Sequence, residues 1–287
     1  MIVDIKKISI IGLGLMGGSL AKAFYENSIC EKIIGVDPDN RNIQAALSQN
    51  VIDEGYQEIT NAIFDSDLIF IGTPAIECVN ILKKLSGKVK KNCIVSDLCS
   101  TKVEIINAVN ELYDAPVFIG GHPMVGRERS GFLHGDGSLY KDAIYLLTKA
   151  KTTTKESVEI ITEVIEKIGA KSLMVEKDEH DKILAQVSHI PHVVAAGLVN
   201  LLNKSETRIE KFQQLIGGGF IDTTRIASSN PVMWEQILLS NSKNMVEQIE
   251  IFQNILEDLK ADIRRKDNIA INLFFEKSKE YRDNLIR

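Results

Sequence analysis

Three features of the sequence predict an α/β fold in which a doubly wound, mostly parallel sheet is followed by an all-helical dimerisation domain. A glycine-rich loop joins an apolar strand segment to a helical one near the start of the chain. Apolar segments of strand length then alternate with amphipathic helical segments as far as Val175, the pattern of βαβ units. After Glu176 the periodicity is helical almost throughout. The division is therefore placed between residues 1–176 and residues 177–287.

Ile8–Ile11 is the first strand, and Gly12-Leu13-Gly14-Leu15-Met16-Gly17 follows it directly, ahead of a helix over 19–26. In a Rossmann-type βαβ unit the first of these glycines makes the tight turn. The second lets backbone approach a pyrophosphate, and the third lets helix pack on strand. The helix N-terminus offers free N–H groups to the phosphates. A second strand, Lys32–Val36, ends in Asp37, 20 residues after Gly17, where a carboxylate accepts the adenosine ribose hydroxyls. Strand, loop, helix, strand and acid in this order mark residues 12–17 and Asp37 as a dinucleotide site. The acid favours NAD, because it would repel the 2′-phosphate of NADP, although Arg41 stands four residues on.

Further strands are expected over 67–72, 92–96, 117–119, 143–147 and 171–175, with helices over 76–85 and 155–168. Ligands of such sheets bind beyond the carboxyl ends of the strands. Thr73, Ser100 and His122 each follow a strand and should converge on the nicotinamide end of the cofactor. His122 lies in Gly120-Gly121-His122-Pro123-Met124-Val125-Gly126, a segment with little backbone freedom. Alone, the segment reads equally as a turn holding a surface histidine; its place past a strand makes His122 a candidate catalyst.

Hydrophobic residues make up 44% of the 287 and charged residues 25%, the balance of an ordinary globular protein. A formal charge of -5 argues against nucleic-acid binding, which needs a basic surface, and requires local cations to hold an acidic substrate. Cys30, Cys78, Cys93 and Cys99 form no C-x-x-C pair and have no histidine at metal-ligand spacing. Buried free thiols in a reducing cytoplasm are expected, with no metal. Residues 6–23 imitate a signal peptide, but four glycines interrupt the apolar run and the dinucleotide loop explains them better. No other stretch approaches the ~18–20 apolar residues of a membrane span, so no membrane partner is expected.

In the second half, residues 178–203 read as one long helix kinked at Pro191. Asp181, Ala185, Ser188 and His192 form a small, polar stripe along it, a pattern that more often caps a core than builds a site. Gly217-Gly218-Gly219 then allows a backbone path that other residues resist, and Arg225 closes Asp222-Thr223-Thr224-Arg225. A guanidinium suits bidentate binding of a carboxylate; a local ion pair with Asp222 is the alternative, and the two can coexist. From Pro231 to Arg264 a single helix of about 50 Å is expected at ~1.5 Å per residue. Its apolar seam runs from Leu238 through Met245, Ile249, Phe252 and Leu256 to Ile263, with Ile251 and Ile255 beside it, and suits burial in a homodimer.

These motifs resemble those of the prephenate dehydrogenase family over nearly the whole chain. The resemblance rests on the loop at 12–17, on Asp97-Leu98-Cys99-Ser100-Thr101-Lys102 and on Gly121-His122-Pro123-Met124-Val125-Gly126. It continues through His180-Asp181, Ser188-His189-Ile190-Pro191-His192, and the segment from Gly219 through Arg225 up to Met233-Trp234. It implies oxidative decarboxylation of prephenate to 4-hydroxyphenylpyruvate with NAD⁺, a step toward tyrosine. By matching position it makes His122 the catalytic histidine, Ser100 its neighbour beside the nicotinamide, and Arg225 the carboxylate anchor. His192, Ser188 and Gly218 go with them to substrate binding, and Gly12, Leu13, Gly14, Leu15, Met16, Gly17, Asp37, Thr73 and Ser100 to the cofactor. Arg127 and Arg129 stand where many relatives carry a small polar residue and a lysine, which makes this loop more basic. From the length, neither the fused chorismate mutase nor the C-terminal regulatory domain of many members is expected. Arogenate dehydrogenase, whose substrate bears an amino group on the side chain, is the nearest rival reading. A 3-hydroxyacid dehydrogenase would need a catalytic lysine on a helix, which has no convincing counterpart here. A dinucleotide-sensing protein without chemistry would lack Ser100, His122 and Arg225.

Overall fold

A computed structural model describes residues 5–126, 129, 131–205 and 209–286. The chain opens with β1 (Lys7–Ile11), α1 (Leu15–Glu26), β2 (Lys32–Val36), α2 (Asn40–Ser48) and β3 (Glu54–Tyr56). It continues through β4 (Leu68–Ile71), α3 (Ala75–Leu85), β5 (Ile94–Asp97), α4 (Val103–Glu111) and β6 (Val117–Pro123), then β7 (Ile144–Lys149), α5 (Lys155–Lys167) and β8 (Lys171–Met174). The eight strands form one sheet in the order β3-β2-β1-β4-β5-β6-β7-β8, parallel except where β6 meets β7. The strand order turns back between β1 and β4, which is where such sheets open a crevice for a ligand.

Both faces of the sheet are covered, which is why the central strands are continuous apolar runs such as Leu68-Ile69-Phe70-Ile71. Alternate residues sort to opposite sides. Ile8, Ile10, Leu68 and Phe70 join one core with Leu20, Phe24 and Ile161, whereas Ile11, Ile69 and Ile71 join a second with Ile81, Leu82 and Ile105. Helices α1 and α5 thus cover one face, and α3 and α4 the other.

The glycine loop is tighter than the sequence suggests. Gly12 holds φ at +94°, in the left-handed region. A Cβ on Gly17 would lie 1.9 Å from the Gly12 carbonyl oxygen, so helix and turn interlock there. That contact starts α1 at Leu15 rather than Ser19, and Leu15, Met16 and Gly17 become its first turn. Gly14 has open space where a Cβ would stand. The β6 strand also runs further than expected: antiparallel pairing of Gly121 with Leu147 and His122 with Leu146 carries it through Pro123. His122 is therefore held within a strand and not in a turn beyond one.

No further strand follows β8 among the described residues. The helices are α6 (Lys177–Leu184), α7 (Ile190–Asn203), α8 (Ile209–Leu215), α9 (Gly218–Thr224), α10 (Pro231–Ser240), α11 (Ser242–Arg265) and α12 (Asn268–Leu285). Pro191 has no N–H to give, and the fault it introduces is absorbed by a π-helical turn over Ala185–His189 that joins α6 to α7. Taken together, Lys177–Asn203 is a 27-residue helical run long and apolar enough by length and composition to cross a bilayer, contrary to the run-length expectation. Its His180, Asp181 and His189 are nonetheless buried in polar contacts of the fold. The long helix expected from Pro231 is broken at Asn241, whose side-chain amide donates to the Asp181 carbonyl oxygen at 2.8 Å. Leu238 thus belongs to α10 and the rest of the seam to α11. The chain forms two compact units, Met1–Asn241 and Ser242–Arg287; in the second, α11 and α12 pack together across a turn with Lys266 at φ 54°.

Gly17→Ala should destabilise the protein by about 1–3 kcal/mol through overpacking, whereas Gly14→Ala should leave the melting temperature within about a degree. Thermal melts of the two variants check this; equal effects would contradict the interlocked turn.

Candidate active site

Asp97, at the end of β5, organises the strand ends. Its Oδ1 accepts the Gly121 N–H at 3.0 Å and its Oδ2 the Cys99 N–H at 2.9 Å, so the loop bearing Ser100 is tied to the strand bearing His122. The Lys102 ammonium, fully buried, donates to the same Oδ2. Burial disfavours the charge on Lys102, but the adjoining Asp97 carboxylate more than restores it and raises the pKa above the usual lysine value. Cys78, Asp97 and Cys99 offer ligand atoms within 4.8 Å of one another, a grouping the sequence spacing hides. The Asp97 oxygens already accept three hydrogen bonds, and burial pushes the Cys78 thiol well up, so the cluster works as a hydrogen-bonded brace. Cys78, Cys93 and Cys99 are buried thiols, whereas Cys30 is only partly buried.

Helix α6 and the π turn press a second set of polar groups against this brace. Asp181 accepts the Lys102 N–H at 2.7 Å and the Val103 N–H at 2.9 Å, capping the start of α4. Its Oδ1 also lies 2.7 Å from His180 Nδ1, and His180 Nε2 lies 2.9 Å from His122 Nδ1. All three side chains are buried. Burial, then the neighbouring His180, Lys102 and His189, pushes the His122 pKa well below the usual histidine value. Burial also lowers His180, against the pull of Asp181, and brings His189 down to about 4.

Ser100, His122, Ser188, His192 and Arg225 come together around one cavity of about 340 Å³, together with Trp234. The His192 ring stacks on Trp234 with centroids 3.9 Å apart, and His192 Nδ1 donates to the Ser188 carbonyl oxygen at 3.0 Å. A second cavity of about 320 Å³ shares Leu15, Met16 and Ser100 with the first and adds Thr73. The Thr73 hydroxyl is buried without a hydrogen-bond partner among the described residues. Asp37 Oδ2 accepts the Leu13 N–H at 2.7 Å and its Oδ1 the Asp39 N–H at 2.8 Å, so this carboxylate also shapes the glycine loop. Arg41 is exposed and paired with Asp39.

One assignment is corrected. Gly218 is exposed at the start of α9 and lies outside the lining of both cavities; its segment serves to lead into Arg225. Arg129 reaches the second cavity, while Arg127 lies outside the described residues. His180, Lys102 and Trp234 carry no individual role in the sequence reading. Their signals in the sequence are their places in the His180-Asp181, Asp97-to-Lys102 and Met233-Trp234 segments.

The nucleotide-binding-domain model of the prephenate dehydrogenase family matches residues 20–174, and its dimerization-domain model matches residues 176–276. The chain belongs to the prephenate dehydrogenase family. Membership makes it an NAD-dependent oxidoreductase. It is 31% identical to the prephenate dehydrogenase of Bacillus subtilis (strain 168), over 97% of this chain and 76% of that one. It is 35% identical to that of Lactococcus lactis subsp. cremoris (strain MG1363), over 96% of this chain and 77% of that one. Among solved structures, the prephenate dehydrogenase from A. aeolicus in complex with hydroxyphenyl propionate and NAD⁺ superposes with a TM-score of 0.89 at 32% identity, covering 99% of each chain.

Three buried histidines with lowered pKa values make the fold sensitive to acid. Below the unfolded value of ~6.5 the unfolded chain binds protons that the folded chain refuses, so stability falls as pH falls. The loss should begin near pH ~6.5 and continue toward the folded values, about 4 for His189. Urea midpoints at about pH 7.5 and 5.5 should differ, the lower pH being less stable. Equal midpoints would contradict burial of these rings in the neutral form.

Proposed function

We propose that this chain is a cytoplasmic, homodimeric prephenate dehydrogenase that converts prephenate to 4-hydroxyphenylpyruvate and carbon dioxide with NAD⁺. The observation that carries this reading is the one cavity that gathers His122, buried and held neutral, with Ser100, Ser188 and the Arg225 guanidinium, and adjoins the strand ends of a dinucleotide-type sheet. The residues present fit the cofactor. Gly12 makes the turn, the open side of Gly14 admits a pyrophosphate, and the unpartnered Thr73 hydroxyl stands where a bound group can satisfy it. Asp37 retains acceptor capacity for ribose hydroxyls, and the pairing of Arg41 with Asp39 favours NAD over NADP. When bound, NAD⁺ supplies the two-electron acceptor for the ring carbon that carries the hydroxyl.

The chain's own residues handle the proton and the carboxylates. As the ring carbon is oxidised its hydroxyl turns acidic, and His122 accepts the proton. Its lowered pKa keeps it neutral and available at neutral pH. Ser100, on the wall shared by the two cavities, hydrogen-bonds at the reacting end. Arg225 holds the carboxylate of the pyruvyl side chain, because a guanidinium on the departing carboxylate would oppose its loss as carbon dioxide. His192, fixed by Trp234, and Ser188 line the substrate. The division of labour falls between residues 1–176 for the cofactor and 177–287 for substrate and dimerisation. The boundary between the two matched family models supports that division. Exposed Ile251, Ile255 and Ile263 on α11 support a dimer interface in the second half.

Mixing the protein with NAD⁺ and prephenate should give NADH absorbance; turnover of arogenate in preference would overturn the substrate assignment. His122→Asn should lower kcat by about 10²–10⁴-fold with NAD⁺ binding unchanged, and retained kcat would remove it as proton acceptor. Arg225→Ala should raise KM for prephenate by about 10- to 150-fold, the worth of a charged hydrogen bond; an unchanged KM would exclude it from the site. Sedimentation equilibrium should give a dimer that Ile255→Glu weakens, and a wild-type monomer at micromolar concentration would contradict the dimer.

A further inference from the structure

We propose that His180 and Asp181 are positioning residues that fix the proton pattern of His122, leaving its Nε2 as the basic nitrogen of the site. The inference rests on the reading of His122 as the proton acceptor and deepens it. A carboxylate can only accept, so the 2.7 Å contact requires His180 Nδ1 to carry the hydrogen donated to Asp181 Oδ1. A neutral His180 then has its lone pair on Nε2. The 2.9 Å contact with His122 can form only if His122 Nδ1 carries the hydrogen and donates it. Neutral His122 is left with an unprotonated Nε2 beside the cavity it lines. Each proton position follows from the one before it, starting from an acceptor that has no alternative.

The arrangement opposes the intrinsic preference of the ring, since an unconstrained neutral histidine favours the hydrogen on Nε2, the wrong tautomer for this task. It is also anchored. The same Asp181 carboxylate accepts the N–H groups of Lys102 and Val103, so it cannot rotate away from His180 without uncapping α4. The charged and titratable groups around the two rings are Asp97 from the end of β5, Lys102 from the start of α4, Asp181 from α6 and His189 from the π turn. Lys102 disfavours a second positive charge on either ring, which keeps both neutral in the resting site. In the reaction the hydroxyl proton moves to His122 Nε2, giving an imidazolium that still donates from Nδ1 to His180. No proton leaves His180 or reaches Asp181, so the pair orients and does not relay.

The test pairs two substitutions with a spectroscopic readout. His180→Leu removes the acceptor facing His122, whereas His180→Gln keeps a carbonyl oxygen in reach of it. We expect His180→Leu to lower kcat by about 10²-fold with KM and NAD⁺ affinity little changed, and His180→Gln to recover most of the loss. ¹⁵N NMR of the five histidines, with the His122 signals assigned by their loss in His122→Asn, should show Nδ1 protonated in the wild type. In His180→Leu the hydrogen should move to Nε2. A folded His180→Leu enzyme at wild-type rate, a Gln variant no better than Leu, or a wild-type His122 with its hydrogen on Nε2 would each overturn the proposal. The wild-type spectrum decides even if His180→Leu does not fold. Loss of activity in His122→Asn alongside any of these results would leave His122 as the acceptor and remove only its positioning; retained activity in His122→Asn would remove both.

Discussion

The carboxylate of Asp181 is the point on which the site depends. One side chain caps α4 through two backbone N–H groups and fixes the His180 ring, while the residue's own carbonyl oxygen accepts the Asn241 amide. Residues from the sheet half, from α6 and from the end of α10 therefore meet in one buried hydrogen-bonded junction. Such a group is costly to leave unsatisfied and rigid when every bond is made. Under the proposed role of His122 as proton acceptor, that rigidity holds its ring in one orientation before substrate arrives.

Beside this junction, Asp97 and Lys102 form an ion pair with no exposure to solvent. A buried pair of this kind is weak evidence for stability, since desolvation offsets much of the attraction. Its consequence here is positional and electrostatic. Asp97 ties the Ser100 loop to the His122 strand, and Lys102 places a cation near His122 and His180 that disfavours their protonation. Removing Lys102 would leave a buried carboxylate without its counter-ion, so its structural and electrostatic contributions cannot be separated by deleting it alone.

The parts of the fold legible in the sequence are those set by local pattern. The apolar runs of β1, β4 and β5, the glycine loop and Asp37 were readable because sheet burial and loop geometry demand those residue types in sequence order. The short edge strand Glu54-Gly55-Tyr56 was not, being half-buried and without apolar character. The break at Asn241 was hidden because the apolar spacing runs straight across it. A bond to a backbone oxygen 60 residues away decides it. Pro191 announced a fault in its helix but not the π turn that absorbs it. His122, Ser100, Ser188, His192 and Arg225, far apart in sequence, line one cavity, whereas Gly218 stands apart from it. His180 escaped because its importance lies in a contact with a ring 58 residues earlier. Asp181 reads as a structural residue, and the carboxylate that caps α4 also contacts the His180 ring.

Central to this account is a buried His122 that remains neutral at and below the ordinary histidine pKa and takes the substrate proton. The pH dependence of kcat/KM for prephenate tests it most directly, because that profile reports ionisations of the free enzyme. A buried, neutral His122 should give an acid limb displaced clearly below ~6.5, where an unperturbed histidine would titrate. A limb at or above that value, or one that persists unchanged in the residual activity of His122→Asn, would contradict it.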